Sequence, residues 1–295
     1  SGFDGLKNTG FIDLLPLAGT ASMPKLRVGN TPLYPLSFFD DKKFPFSLYL
    51  KDDSQNPTWS FKDRASALVS AFAAENRLGT IIAASTGNAG SSLAGMCASQ
   101  RQRAVIVVPE TAPKAKLTQI VMYGAMIVPV KGTYDEAFDL SVKATELFGW
   151  YNRNTAFNPL TIEGKKTVSF ELFEQLRLSV PDRIFIPAGD GVILAGAYKG
   201  FEDLLRLGIT DKMPVIVAVQ SEKSDNLVRN IMQEKFTVVP SSTVADSISV
   251  DIPRNFYMAR QFIQDYNGET LTVSDKAILN ASKILAAHTG LFSEP

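Results

Sequence analysis

Short runs rich in Val and Ile alternate with amphipathic helical stretches along most of this chain. That alternation limits what the chain can fold into more than any other feature. The expected strands span residues 46–50, 80–84, 104–108, 126–130, 183–187 and 214–220. Each is nearly continuous in apolarity, as suits central strands of a parallel sheet covered on both faces. The helical stretches between them mostly end in glycine, at Gly79, Gly124, Gly149, Gly208, Gly268 and Gly290. Glycine accepts the left-handed conformation that terminates a helix. Thr133 with Glu136 reads as a capping box, and in the helix it opens, Ala137, Leu140, Ala144 and Leu147 recur as one buried face. Four right-handed βαβ units are expected over 80–150. The polar stretch 152–158 then breaks the pattern, and a second series begins near Glu163. The fold class is therefore α/β, with two open lobes and mostly parallel sheets. Residues 83–157 would form a small domain inserted into a larger one made of 1–82 and 158–295. The first 26 residues look loosely structured apart from an apolar patch at 14–17.

Counting removes several chemistries. Lys and Arg total 30, and so do Asp and Glu, so the formal charge is zero. Nothing then pulls the chain towards nucleic acid or an anionic membrane. The single cysteine, Cys97, excludes an internal disulfide framework and a Cys-rich zinc site, and suits a reducing compartment. The single histidine, His288, falls near the end of an expected helix. A multi-His metal site is thus excluded, a His-based triad would have to rest on this one residue, which reads as a partly exposed helix residue, and no metal is expected. An enzyme built from this chain needs a lysine, a carboxylate or a cofactor as its base. No charged segment followed by an apolar core opens the chain, so no signal peptide is expected. No apolar run is long enough to span a bilayer.

Three strand-to-helix junctions carry unusual residues. In the first, Ser60-Phe61-Lys62-Asp63-Arg64, Ser60 can cap a helix and a lysine stands at its positive end. Read alone, Lys62 is a solvated lysine paired with Asp63. Read functionally, the helix end helps keep the amine deprotonated, as a Schiff-base lysine requires. In the second, Ser85-Thr86-Gly87-Asn88, hydroxyls and backbone N–H groups can gather around a carboxylate or simply cap the helix that follows. In the third, Gly189-Asp190-Gly191-Val192-Ile193, a strand, a glycine loop and a helix succeed one another as in an anion cradle. Asp190 is at odds with a phosphate there, unless it faces away or caps the helix. A lysine and two anion-seeking turns suggest a cofactor that combines an aldehyde with a phosphate. Pyridoxal 5′-phosphate has both, and as an electron sink it explains how the chain manages without histidine.

These residues, in order, resemble the threonine synthase family of fold-type II pyridoxal-phosphate enzymes. The matching segments are Gly29-Asn30-Thr31-Pro32-Leu33, the Ser-Phe-Lys-Asp-Arg run ending at Arg64, Ser-Thr-Gly-Asn at 85–88, and Asn158-Pro159. Glu163-Gly164-Lys165-Lys166-Thr167, Lys199-Gly200-Phe201 and the closing Gly-Leu-Phe-Ser-Glu-Pro at 290–295 follow. The resemblance implies that Lys62 binds the cofactor covalently and then moves protons at Cα and Cβ. It implies that Phe61 packs near the ring, Asn88 bonds the cofactor O3′, and Gly189, Asp190, Gly191, Val192 and Ile193 hold the phosphate. Ser85, Thr86, Gly87 and Lys165 would bind substrate. The larger domain would be the cofactor-binding one. The implied reaction releases phosphate from O-phosphohomoserine and hydrates Cβ to give L-threonine, in a cytoplasmic enzyme of amino-acid biosynthesis, with a homodimer expected by analogy. The family's Ser or Thr facing the pyridine nitrogen would lie beyond Pro295, so the chain is expected to be a fragment.

Thr161 stands where the family often has an arginine, Trp59 where glycine is usual, and the phosphate loop reads Gly-Asp-Gly. These departures keep a second reading open, namely β-elimination from serine, threonine or diaminopropionate. A third is a non-catalytic homologue that binds an amino acid.

Overall fold

A computed structural model describes residues 2–39, 42–112 and 114–295. Helix α1 (Gly2–Asn8) comes first, and Phe3 packs its ring 5.6 Å from that of Phe11. Leu15 and Leu17 rest on a hydrophobic core. The apolar patch at 14–17 thus packs as expected, while α1 and the Phe3–Phe11 contact order part of the segment expected to be loose, and Ser1 lies outside the described residues. Strands β1 (Leu33–Phe39) and β2 (Lys42–Lys51) form an antiparallel hairpin. The run at 46–50 is therefore a hairpin strand and not a central parallel one. Its apolarity is real, but Phe46 and Tyr49 face solvent.

Helix α2 (Asp63–Glu75) follows, then β3 (Thr80–Ala84), α3 (Asn88–Ser99), β4 (Arg103–Pro109), α4 (Lys114–Met122), β5 (Met126–Val130), α5 (Tyr134–Phe148) and β6 (Tyr151–Asn152). These four strands form a parallel sheet in the order β5-β4-β3-β6. They make three βαβ units, not the four expected, the last crossing from the β5 edge back to the far side of β3. Two short helices come next, α6 (Leu160–Lys165) and α7 (Thr167–Gln175). The rest comprises β7 (Arg183–Pro187), α8 (Val192–Arg206), β8 (Val215–Ser221), α9 (Asn226–Asn230), α10 (Phe256–Asp265), β9 (Glu269–Val273) and α11 (Asp275–Thr289). The second parallel sheet has the order β7-β8-β9.

By packing, the chain divides into two compact units, Ser1–Thr31 with Asp53–Val168, and Pro32–Asp52 with Ser169–Pro295. These bounds fall elsewhere than at 83–157. Helix α2 packs on α3 and α6 in the first unit. In the second, Lys51 at the end of the hairpin donates to Glu171 at 2.6 Å. The first unit has apolar layers on both faces of its sheet. Helix α5 lays Ala137, Phe138, Ser141 and Ala144 against one of them, whereas Leu140 and Leu147 are exposed, Leu147 by 77%. The Thr133–Glu136 capping box forms as expected. The second unit's core gathers Ile186, Leu194, Tyr198, Ile216, Leu227 and Ile263.

Gly124, Gly149, Gly208 and Gly290 are left-handed, as expected, but Gly79 and Gly268 are not. Arg77 and Asn267 take that conformation in their place. Gly268 is required by packing instead, because a Cβ there would lie 2.0 Å from Tyr198 Oη. Cys97 is buried, and burial pushes its thiol up to about 12. No described helix is long and apolar enough to cross a membrane.

Candidate active site

The segment leading into α2 is fastened at every step. Asn56 is buried, and its Oδ1 accepts the Gly29 N–H at 2.9 Å. The Trp59 N–H donates to Asn56 O at 2.9 Å, and Trp59 takes a left-handed φ of 60°. Ser60 Oγ accepts the Lys62 N–H at 3.0 Å just ahead of α2, whose N-cap is Lys62 rather than Ser60. Lys62 is left in helical geometry, half-buried, at the mouth of α2. Phe61 is half-buried beside it, with the Arg64 guanidinium 5.5 Å from its ring centre.

Asp63 turns away into the protein. Its carboxylate accepts the Thr58 N–H at 2.7 Å and also the Thr58 hydroxyl. Burial raises its pKa, partly opposed by hydrogen bonds from Thr58 and Ser92 and by the charge of Arg153. Ser92 Oγ lies 2.8 Å from Ser66 Oγ, which accepts from Arg153 Nε at 3.1 Å. Ser92 is one turn into α3 and Ser66 one turn into α2, so this polar cluster sets the starts of the two helices side by side. Glycine at 95 makes the approach possible, since a Cβ there would lie 2.6 Å from Thr58 Cγ2.

Arg64 forms a second fastening. It donates to both oxygens of Asp53, at 2.6 and 2.9 Å, to Thr31 Oγ1 at 3.2 Å and to Thr167 Oγ1 at 3.0 Å. Three motifs far apart in sequence, at 29–33, 60–64 and 163–167, thus meet on one guanidinium. Helix α6 lies hard against α2, because a Cβ on Gly164 would come 2.3 Å from Arg64 O. Lys165, on α6, is fully buried, and Lys166 pairs with Glu163 at 2.6 Å.

The 85–88 segment opens α3 at the end of β3. The Ser85 N–H still donates to Val107 O in the ladder, while Gly87 N–H donates to Ser85 Oγ at 3.3 Å. Ser85 is buried, and Thr86, Gly87 and Asn88 are half-buried. Asn154, which was not singled out from sequence, holds this strand end by accepting the Ala84 N–H on its Oδ1 at 2.7 Å. The run at 152–158 carries no helix or strand after β6, so the alternation breaks there as expected, and within it Asn154 clasps the end of β3. Lys62, Phe61, Lys165 and residues 85–88 all belong to the first unit, on elements packed against one another.

Residues 189–193 belong to the second unit, in the loop after β7 and the first turn of α8. Gly191 takes a φ of 85°, and a Cβ on it would come 2.9 Å from Ala259 Cβ. Gly189 is backed by Ile248, whose Cα would lie 3.1 Å from an added Cβ. Asp190 Oδ1 accepts the Val192 N–H at 3.0 Å, so Asp190 caps the helix start rather than facing away. Asn255, also missed from sequence, donates its N–H to Asp190 O and its Nδ2 to Gly191 O, each at 3.2 Å. Glycine at these bends and the start of the fifteen-residue helix α8 are features that an anion-binding turn requires. His288 is exposed in the last turn of α11, and the described residues hold no cluster of metal-ligating side chains.

A family model described as pyridoxal-phosphate dependent enzyme matches residues 25–295. Threonine synthase of Methanocaldococcus jannaschii is 32% identical over 289 residues, covering 97% of this chain and 71% of that one. Threonine synthase of Halalkalibacterium halodurans is 34% identical over 286 residues, covering 96% and 78%. Among solved structures, the T.th. threonine deaminase aligns with a TM-score of 0.72 at 27% identity, covering 84% of this chain and 78% of that one. Maize serine racemase aligns at 0.77 with 23% identity, covering 92% and 79%, which shows the fold alone. With the family model running through both units and all three junctions, the chain belongs to the pyridoxal-phosphate-dependent enzymes of fold type II.

Proposed function

We propose that this chain is a threonine synthase-like lyase that releases phosphate from O-phosphohomoserine and adds water at Cβ to give L-threonine. One observation carries the proposal: 32–34% identity to threonine synthases over nearly the whole chain. The residues present suit the family's cofactor. Lys62 offers a primary amine at a helix mouth, Asn88 a half-buried amide, and Gly191 a left-handed bend too crowded for a side chain. An aldehyde bearing a phosphate needs such a set.

Lys62 would hold pyridoxal phosphate covalently and later carry protons at the substrate's Cα and Cβ. Phe61 would lie near the ring and Asn88 would bond O3′. Gly189, Asp190, Gly191, Val192 and Ile193 would take the cofactor phosphate. Ser85, Thr86 and Gly87 would gather the substrate carboxylate, and Lys165 would also bind substrate. When bound, the cofactor supplies an electron sink for charge developing on carbon. Proton transfer also needs a carrier held within a fraction of an ångström of its target. The Asp63–Ser92–Ser66 cluster serves that need by fixing the start of α2 against the start of α3.

The test is incubation with O-phosphohomoserine. Threonine and inorganic phosphate in equal amounts are expected, and the absence of both ends the proposal. A second reading, β-elimination from serine, threonine or diaminopropionate, is favoured by the likeness to the T.th. threonine deaminase. Keto-acid formation in place of threonine would select it. The same proposal makes the enzyme a cytoplasmic homodimer, by fold-type analogy, and a monomer in analytical ultracentrifugation would remove the dimer.

A further inference from the structure

We propose that the Asp190 carboxylate and the cofactor phosphate compete for one backbone donor, the Val192 N–H, so that Asp190 holds cofactor affinity down and keeps the cofactor exchangeable. This rests on the assignment of residues 189–193 to the cofactor phosphate made above. In a trans peptide, the carbonyl of one residue and the N–H of the next point in opposite directions. Asn255 draws the carbonyls of Asp190 and Gly191 towards the start of α10. The N–H groups of Gly191 and Val192 therefore point to the opposite side, where they form a nest for an anion. Asp190 Oδ1 already accepts the Val192 N–H at 3.0 Å. A carboxylate thus stands at the positive end of the fifteen-residue helix α8, the position that favours a phosphate.

Two anions cannot share that donor without repulsion. A phosphate arriving here must either displace the Asp190 side chain or give up the Val192 N–H. Either way it meets a like charge at close range in a half-buried loop, where screening is incomplete. Asparagine at 190 would keep the shape and the acceptor oxygen for Val192 while removing the charge.

The experiment is a titration of the full chain with pyridoxal 5′-phosphate, read by cofactor absorbance and tryptophan quenching, in the wild type, Asp190→Asn and Asp190→Ser. Asp190→Asn is expected to tighten the apparent Kd about ten-fold. Asp190→Ser should tighten it in the same direction, which covers the case in which the first variant fails to fold. Unchanged or weaker affinity in the folded variants overturns the proposal. Inorganic phosphate provides an independent reading, because its thermal stabilisation of the protein should be larger in Asp190→Asn than in the wild type. If borohydride traps no cofactor on Lys62 in any form, the cofactor assignment fails. The phosphate shift still decides in that case whether Asp190 opposes an anion at this loop.

Discussion

Trp59 bears two costs at once. Its φ of 60° is a conformation that a bulky L residue adopts at about 1–2 kcal/mol, and its indole is 70% exposed. Thr58 and Ser60 on either side are buried and bonded to Asp63 and Lys62, so the turn is imposed by its neighbours. Glycine at this position would relieve the backbone and lose little buried area, though it adds freedom to the unfolded chain. Trp59→Gly is therefore expected to raise the unfolding free energy by about 0.5–1 kcal/mol, as read from the urea midpoint at constant m-value. A lower midpoint would mean that the indole makes contacts worth more than the strain. Lys62 is the contrasting residue. It is half-buried at a helix mouth, so Lys62→Ala opens no core cavity. That variant should keep its melting temperature while losing all turnover and all borohydride-trapped cofactor. Residual product at wild-type rate would remove Lys62 from the chemistry.

At the scale of elements, the start of α10 acts on the glycine loop across 64 residues of sequence. Asn255→Ala would remove the side-chain hydrogen bond to Gly191 O and leave the backbone one to Asp190 O. A hydrogen bond of this kind contributes about 1 kcal/mol, so cofactor Kd should rise several-fold while Asn255→Ser restores part of the loss. Equal affinity in Asn255→Ala would show that the loop holds its shape without the clasp. Nothing in the sequence pointed to Asn255, because it sits in no motif and its partner is a backbone carbonyl. Asn154 also sits in no motif, and its partner on β3 is the backbone N–H of Ala84. The three junctions were legible because a buried strand handing over to glycines and hydroxyls is a local pattern. Strands β3, β5 and β7 were read to the residue from their apolar runs. Strand β9, Glu-Thr-Leu-Thr-Val, was missed, since it lacks such a run and its first three residues are exposed. The run at 46–50 reads as a parallel strand from sequence because apolarity reports a strand without reporting its partner.

Across the whole molecule, unfolding sums the protonation of carboxylates held differently in the two units. In the second unit, Asp275 accepts from Thr243 Oγ1 at 2.6 Å and Ser221 Oγ at 2.8 Å, and these bonds lower its pKa below 3.8. Glu269 is lowered by its hydrogen bond to Arg183. In the first unit, Asp63 is raised by burial. The signs are opposite. A lowered carboxylate binds fewer protons folded than unfolded, so its contribution is present above 3.8 and is lost as pH falls through the folded value. A raised one binds more protons folded, so its contribution is fully present below 3.8 and is lost as pH rises through its folded value. Acidification from neutrality should thus first relieve Asp63 and then, below about pH 4, withdraw the support of Asp275 and Glu269. Asp275→Asn isolates the second effect, because the amide cannot titrate. At neutral pH the variant should melt below the wild type. The gap should close as pH drops through the folded pKa of Asp275, since both proteins then carry an uncharged side chain there. Thermal unfolding followed by circular dichroism between pH 3 and pH 7 measures it. A gap of constant size across that range would show that Asp275 acts through packing rather than through its charge.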